Sequence, residues 1–303
     1  MSIRLAHAAL AAVVVISAAG CAPTTPGQAP SGSASPPAPS ATASGSAPAT
    51  GSPATGAPSA SPTASEQTQP QVVYFPRDAS NGVRLGREMR LVPQDDPLRG
   101  VLEVMIEGPI DVDYISGWPE GTRVLSASTQ GSVTTVDLSA EARTTTLGSE
   151  AASAQADQLL WTVTELVGET TAVDLRIEGQ PAGELWGVLS WDGPRLRGDP
   201  FSARVLVSID TPLDGSLVSS PVVVTGDAAV FEANLPWRVL DEGGSVVQQG
   251  FTTTEEGQRF AAYRFEVELD PGRYTIEIRE DDPSDGEGRR PDVDTRTVEV
   301  GGS

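Results

Sequence analysis

Lysine is absent from this chain of 303 residues, and all 20 of its basic side chains are arginine. Histidine and cysteine occur once each, as His7 and Cys21, both close to the N-terminus. Aromatic residues make up only 5%. These shortages exclude whole classes of chemistry. Beyond Cys21 no imidazole, thiol or side-chain amine remains for a Ser-His-Asp or Cys-His mechanism, a Ser-Lys dyad, a Schiff base or a His/Cys metal site. No GxxxxGK or GxGxxG loop is present to cradle a phosphate. A single cysteine has no disulfide partner within the chain, so it needs another role.

What is abundant is negative charge: 41 Asp and Glu give a net charge of −21. Before residue 71 only Arg4 and Glu66 are charged, and they cancel, so the whole excess belongs to the rest of the chain. Such a chain is unsuited to nucleic acid, whose phosphates need neutralising cations, and to lying flat on an anionic membrane. Solubility explains the acidity, and a basic partner or divalent ions remain open alternatives. The surviving catalytic option is a carboxylate pair, as in glycan cleavage. No pair is singled out by context: Glu103 and Glu107 share an exposed helix face, and Glu255 and Glu256 fall in a hairpin loop. The sequence calls for no cofactor.

The N-terminus reads as a targeting segment over 1–21: Arg4 and His7, an apolar run over 5–16, then Ser17-Ala18-Ala19-Gly20-Cys21. The run is too short to span a bilayer. The Ala18-Ala19-Gly20-Cys21 end resembles the bacterial lipobox, with Ala18 where Leu is more usual. The resemblance implies cleavage between Gly20 and Cys21 and lipid on Cys21, hence a membrane-anchored, extracytoplasmic protein. An ordinary secretory signal ending in cysteine is the alternative. Residues 22–70 are Ala, Ser, Pro, Thr and Gly almost throughout, a composition that cannot bury a core and reads as a disordered linker.

Two patterns follow. Over 71–198 strands and helices alternate: strands over 72–76, 85–92, 123–128, 133–138 and 171–177, a helix opened by Asp95-Asp96-Pro97, and a second helix over 150–167. This predicts an α+β domain. On the second helix Gln158 and Thr162 lie four residues apart, as do Asp157 and Trp161, positions that suit either structural bonds or partner contact. Over 199–303 about seven short alternating segments are separated by turns such as Asp214-Gly215 and Asp270-Pro271-Gly272, which predicts an all-β immunoglobulin-like sandwich. Phe231, Trp237 and Tyr274 read as its core aromatics. The loop carrying Asp281, Asp282, Asp285 and Glu287 gathers four carboxylates, but its spacing misses the EF-hand order, so it reads as a solvated loop before a calcium site.

Val73-Tyr74-Phe75-Pro76, Glu107-Gly108-Pro109, Pro119-Glu120-Gly121-Thr122, Val136-Asp137-Leu138-Ser139 and the helix 158–165 resemble, in order, the GerMN domain of sporulation and germination lipoproteins. Thr211-Pro212, Ser220-Pro221, Val224-Thr225-Gly226-Asp227-Ala228, Phe231-Glu232-Ala233, Trp237-Arg238-Val239, Gly272-Arg273-Tyr274 and Asp285-Gly286 resemble Gmad2, an immunoglobulin-like domain found with spore-germination proteins. The resemblance implies assembly or scaffolding and no known reaction. It frames the expectation: a non-catalytic envelope scaffold or adaptor that contacts other envelope proteins or wall polymer. The alternatives are an accessory lipoprotein that modulates a membrane signalling partner and a carboxylate-dependent cell-wall hydrolase.

Overall fold

The computed structural model describes residues 67–281 and 288–302. Gly20, Cys21, the targeting segment and nearly all of the stretch read as linker lie outside the described residues, as do Asp282, Asp285 and Glu287.

β1 (Thr68–Ala79) and β2 (Gly82–Pro93) form an antiparallel ribbon paired from end to end. β1 begins at Thr68, inside the stretch read as linker, and continues past Pro76, where the sequence signals a stop. Pairing along the whole of β2 overrides that local signal, and the Pro76 carbonyl accepts a hydrogen bond from Ile115 N at 2.8 Å. Val73, Tyr74 and Phe75 are all fully buried, because the ribbon is covered on both faces. This explains why its centre is an apolar run without polar alternation. Each such side chain contributes roughly 1.5–3 kcal/mol by leaving water.

α1 (Pro97–Glu107) starts as the sequence predicts: the Asp96 side chain accepts from Arg99 N at 3.2 Å, and Pro97 takes the first helical position. Gly108, with φ 107°, ends it. β3 (Val124–Gln130) and β4 (Val133–Leu138) form the expected hairpin. α2 (Ser149–Val167) then crosses to β5 (Ala172–Ile177), which pairs parallel to β4, as a helical crossover allows. β6 (Gln180–Pro181) completes a sheet of order β3-β4-β5-β6, and β7 (Gly183–Leu185) pairs with β8 (Leu189–Trp191). The ribbon, both helices and the buried face of β4 and β5 share one core, which includes Phe75, Met105, Leu138, Leu159 and Leu175.

The short α3 (Pro200–Ala203), capped by Asp199, leads into the second domain. Its strands are β9 (Val207–Thr211), β10 (Ser216–Val218), β11 (Val222–Ala228), β12 (Asn234–Asp241), β13 (Val246–Thr253), β14 (Ala261–Val267), β15 (Gly272–Arg279) and β16 (Val293–Val300). Two sheets, β10-β16-β15-β12-β13 and β14-β11-β9, enclose a separate apolar core that includes Ile209, Val224, Leu235, Tyr263, Ile276 and Val298. The sandwich is immunoglobulin-like, as expected. One strand beyond the expected seven is β10, whose three residues pair parallel to β16 and carry too little pattern to be read from sequence. Both domains fall within one compact unit, Pro62–Ser303. No helix among the described residues is long and apolar enough to cross a membrane.

Candidate functional site

The polar face of α2 is structural. Thr162 Oγ1 accepts from Tyr74 N at 3.2 Å, and Gln158 Nε2 donates to Tyr74 O at 2.8 Å. Two side chains one helical turn apart therefore satisfy both main-chain groups of one residue on the outer edge of β1. Gln158 Oε1 also accepts from Trp118 Nε1 at 3.0 Å, so its amide is used on both sides. Trp161 packs edge-on against Tyr74, with ring centroids 5.6 Å apart. Asp157 is half-buried, and burial raises its carboxyl above the ordinary range against the pull of Arg195 and Arg84.

The densest gathering of charge lies where the domains meet. Arg87 on β2 donates Nε and Nη2 to Asp210 of β9, each at 2.7 Å, a bidentate pair, and its Nη1 lies 2.8 Å from Asp227 of β11. Arg204, just past α3, donates to Asp227 at 2.5 Å, and its guanidinium lies 3.9 Å from the Phe260 ring centroid. Beside them Arg296 of β16 bonds Asp111, Asp294 (3.1 Å) and Tyr114 Oη (3.1 Å). Arg77 of β1 reaches the same Asp294 at 2.7 Å. Asp294 also accepts from Ile209 N at 2.7 Å while Arg296 donates to Ile209 O at 2.8 Å, so the two side chains hold both main-chain groups of one β9 residue. The backbone joins in: Val205 N donates to Leu85 O at 3.0 Å. Four guanidinium groups (Arg77, Arg87, Arg204, Arg296) thus face four carboxylates (Asp111, Asp210, Asp227, Asp294), all with side chains 12% exposed or less.

Burial and pairing compete for each charge. At Asp111 burial wins over Arg296 and lifts the carboxyl to about 6. Burial also raises Asp210 in spite of Arg87. At Asp227 burial is outweighed by Arg204 and Arg87 together, and the carboxyl falls below its ordinary range. Burial works against the Arg87 charge, but Asp227 and Asp210 overcome it and hold the guanidinium firmly protonated. Next to Arg87 on β2, Glu88 accepts from Ile110 N and Asp111 N (2.8 Å) and so positions the segment that presents Asp111. The seam matches cations to carboxylates but leaves the buried Arg77 Nε, Arg204 Nε and Ser208 Oγ without a hydrogen-bond partner among the described residues, and a groove of about 260 Å³ lies at its margin, lined in part by Arg77, Ser80, Val205 and Asp292.

The sequence did not single out these residues, yet it held a signal for some of them. In β16, Asp294 and Arg296 share the inward parity of Val298 and Val300. In β9, Ser208 and Asp210 alternate with Val207 and Ile209, and all four are buried. Charges on the apolar phase of a strand mark a second surface packed against it.

Other sequence-read residues fall elsewhere. Glu103 and Glu107 lie on the exposed face of α1, and Glu103 pairs with Arg99 at 2.7 Å. Trp237 packs at the core margin, its ring stacked on Phe265 with centroids 4.8 Å apart, and Tyr274 packs against the same core. Phe231 is a correction: it is 49% exposed, on a tight turn where Glu232 (φ 52°) and Ala233 (φ 59°) adopt left-handed conformations and turn the ring outward. Asp281 accepts from Asn234 Nδ2 at 3.1 Å. Among the described residues no group of three or more His, Cys, Asp or Glu could hold a metal ion.

Residues 72–183 match a family described as sporulation and spore germination (Germane), and residues 206–287 match Gmad2, the immunoglobulin-like domain of bacterial spore germination. No curated protein matches the chain. Similar solved structures include the tandem GerMN domains of the sporulation protein GerM from Bacillus subtilis, at 16% identity and TM-score 0.34, covering 43% of this chain and 45% of that one. The first GerMN domain of the same protein matches at 20% identity and TM-score 0.32, covering 42% of this chain and 98% of that one. A putative lipoprotein from Clostridium perfringens matches at 18% identity and TM-score 0.31, covering 46% of this chain and 93% of that one. The chain thus carries a domain similar to the Germane family over residues 72–183, followed by an immunoglobulin-like domain similar to Gmad2 over residues 206–287.

Proposed function

We propose that this chain is a lipid-anchored, non-catalytic scaffold of the cell envelope, whose two domains act as a single rigid contact body for other envelope proteins or wall polymer. The observation that carries the reading is the seam. Four guanidinium groups and four carboxylates buried at the seam are spent on joining one domain to the other, while buried Glu88 and Glu277 are held by arginines of their own domains. The matched families are described by sporulation and germination and by an immunoglobulin-like fold, with no reaction attached. Anchoring rests on the lipobox-like Ala18-Ala19-Gly20-Cys21, and the low-complexity stretch after it supplies reach.

Mass spectrometry of the cell-associated protein tests the anchor. The expected product begins at Cys21 and carries a thioether-linked lipid, and Cys21→Ser should release the protein into the medium. An N-terminus upstream of Cys21 without lipid refutes anchoring. Turnover of purified peptidoglycan by the protein refutes the non-catalytic part.

A further inference from the structure

The larger sheet of the second domain, with β13 at its edge, turns one face to the core and the other away from it. Leu235 and Val239 of β12 and Ile276 and Ile278 of β15 lie in the core. Alternation therefore points Pro236, Arg238, Thr275, Glu277 and Arg279 outward. The register aligns Gln249, Arg238, Glu277 and Thr295 straight across β13, β12, β15 and β16. Strands about 4.8 Å apart spread these four hydrogen-bonding side chains over roughly 14 Å. A hollow lies on each side of the row. One, of about 450 Å³, is lined in part by Pro236, Arg238, Gln249, Phe251 and Arg279. The other, of about 440 Å³, is lined in part by Thr275, Glu277 and Thr297, with Asp241 and Glu242 from the β12–β13 turn.

The row is ordered before any ligand arrives. Glu277 accepts from Arg238 Nη2 at 2.8 Å and from Arg279 Nε at 3.0 Å. The Glu277 side chain is 10% exposed, whereas those of Arg238 and Arg279 are 36% and 40% exposed. Burial of Glu277 is outweighed by the two arginines, which hold its carboxyl below the ordinary range. One buried acid thus fixes two half-exposed guanidinium groups whose joint charge exceeds its own. The hollow beside them is lined by both arginines and by no carboxylate, in a chain with 41 acids and 20 bases.

We propose that this face binds an acidic glycan, a chain of sugars bearing both hydroxyl and carboxylate groups. The inference deepens the envelope reading above and rests on it, by naming the chemistry of the polymer contacted. Charge complementarity selects the occupant. A molecule of net charge −21 repels a polyanion except where its surface is locally positive, as it is at Arg238 and Arg279. Guanidinium groups held flat suit a carboxylate. The exposed ring of Phe251, paired across the ladder with Pro236, offers an apolar face to a sugar ring. Beyond the row, Glu277, Asp241 and Glu242 only accept hydrogen bonds, so the ligand must donate there, as hydroxyls do. An acidic peptide meets the first demand and fails the second, because its further carboxylates would face these acids. A peptide strand also needs an open sheet edge, whereas this row crosses the middle of a sheet.

Calorimetric titration of the full chain with peptide-free glycan strands of peptidoglycan, whose lactyl groups carry carboxylates, tests the proposal. An N-acetylglucosamine hexamer, which lacks carboxylates, and poly-glutamate, which lacks hydroxyls, are titrated alongside. The strands should bind, and both other probes should bind roughly tenfold more weakly or worse. Arg279→Glu and Phe251→Ser should each weaken strand binding roughly tenfold or more. Arg264→Glu makes the same change in net charge on β14 of the opposite sheet, and it should bind like wild type. Phe251 is 74% exposed, so Phe251→Ser leaves the core intact and decides the matter if Arg279→Glu lowers the melting temperature. A wild type that does not bind the strands overturns the proposal, as does binding that survives Phe251→Ser. An Arg264→Glu loss equal to that of Arg279→Glu would reduce the effect to overall charge and overturn it too. Poly-glutamate binding as tightly as the strands would assign the face to an acidic peptide instead. Strands that stay intact but unbound refute this inference alone, whereas strands that are cleaved refute the non-catalytic reading.

Discussion

Replacing Arg87 with leucine tests whether the seam binds the two domains into one cooperative body. Among the described residues Arg87 is the only cation paired with Asp210, and it shares Asp227 with Arg204. Its side chain is 12% exposed, and those of Asp210 and Asp227 are 8% and 12% exposed. Removing one member of a buried pair strands a charge away from water, which costs about 3–5 kcal/mol. For a folded unit of this size that corresponds to a fall in melting temperature of roughly 6–20 °C. Because the lost bonds cross between domains, calorimetry should also show one transition separating into two. The variant Arg87→Leu/Asp210→Leu should recover most of the loss, since an apolar pair of similar volume replaces a buried ion pair at little cost. A melting temperature within about 2 °C of wild type for the single variant, or a double variant no more stable than the single, would refute the reasoning.

Further outcomes follow from other contacts. Gln158→Leu should destabilise the fold by about 2–4 kcal/mol in denaturant titration, because it leaves the Tyr74 carbonyl and Trp118 Nε1 buried and unpaired; a loss below about 1 kcal/mol would mean that water replaces the amide. Asp111 titrates near 6 in the folded protein and near 4 in an unfolded chain, so between those values the folded state holds more protons and its stability falls as pH rises. Relative to Asp111→Asn, the wild type should therefore lose stability from pH 4 to about 6.5, and parallel urea midpoints for the two proteins would contradict this. Gly250→Val should cost about 1–3 kcal/mol, because a Cβ there would lie 2.6 Å from the Trp237 ring and force it off Phe265; an unshifted melting temperature would show that the ring moves freely.

The sequence alone determined the class of each domain and most of its elements. Asp96-Pro97 set the start of α1, and period-two alternation marked β4 and β5, whose buried positions alternate as expected. Its composition also removed His, Lys and Cys chemistry from everything after Cys21. These features are local or additive, so they can be read without knowing what lies nearby in space. The tertiary structure alone decided which charges are buried. Arg87 and Asp210 are separated by 123 residues, and Asp111 and Arg296 by 185. Each reads as an ordinary surface residue until the other domain covers it. It also decided that Phe231 faces outward, which depends on the backbone of a tight turn, and that β13 is an edge, which depends on the order in which strands are laid side by side. Burial and edge position are properties of neighbours distant in the chain, and no local pattern encodes them.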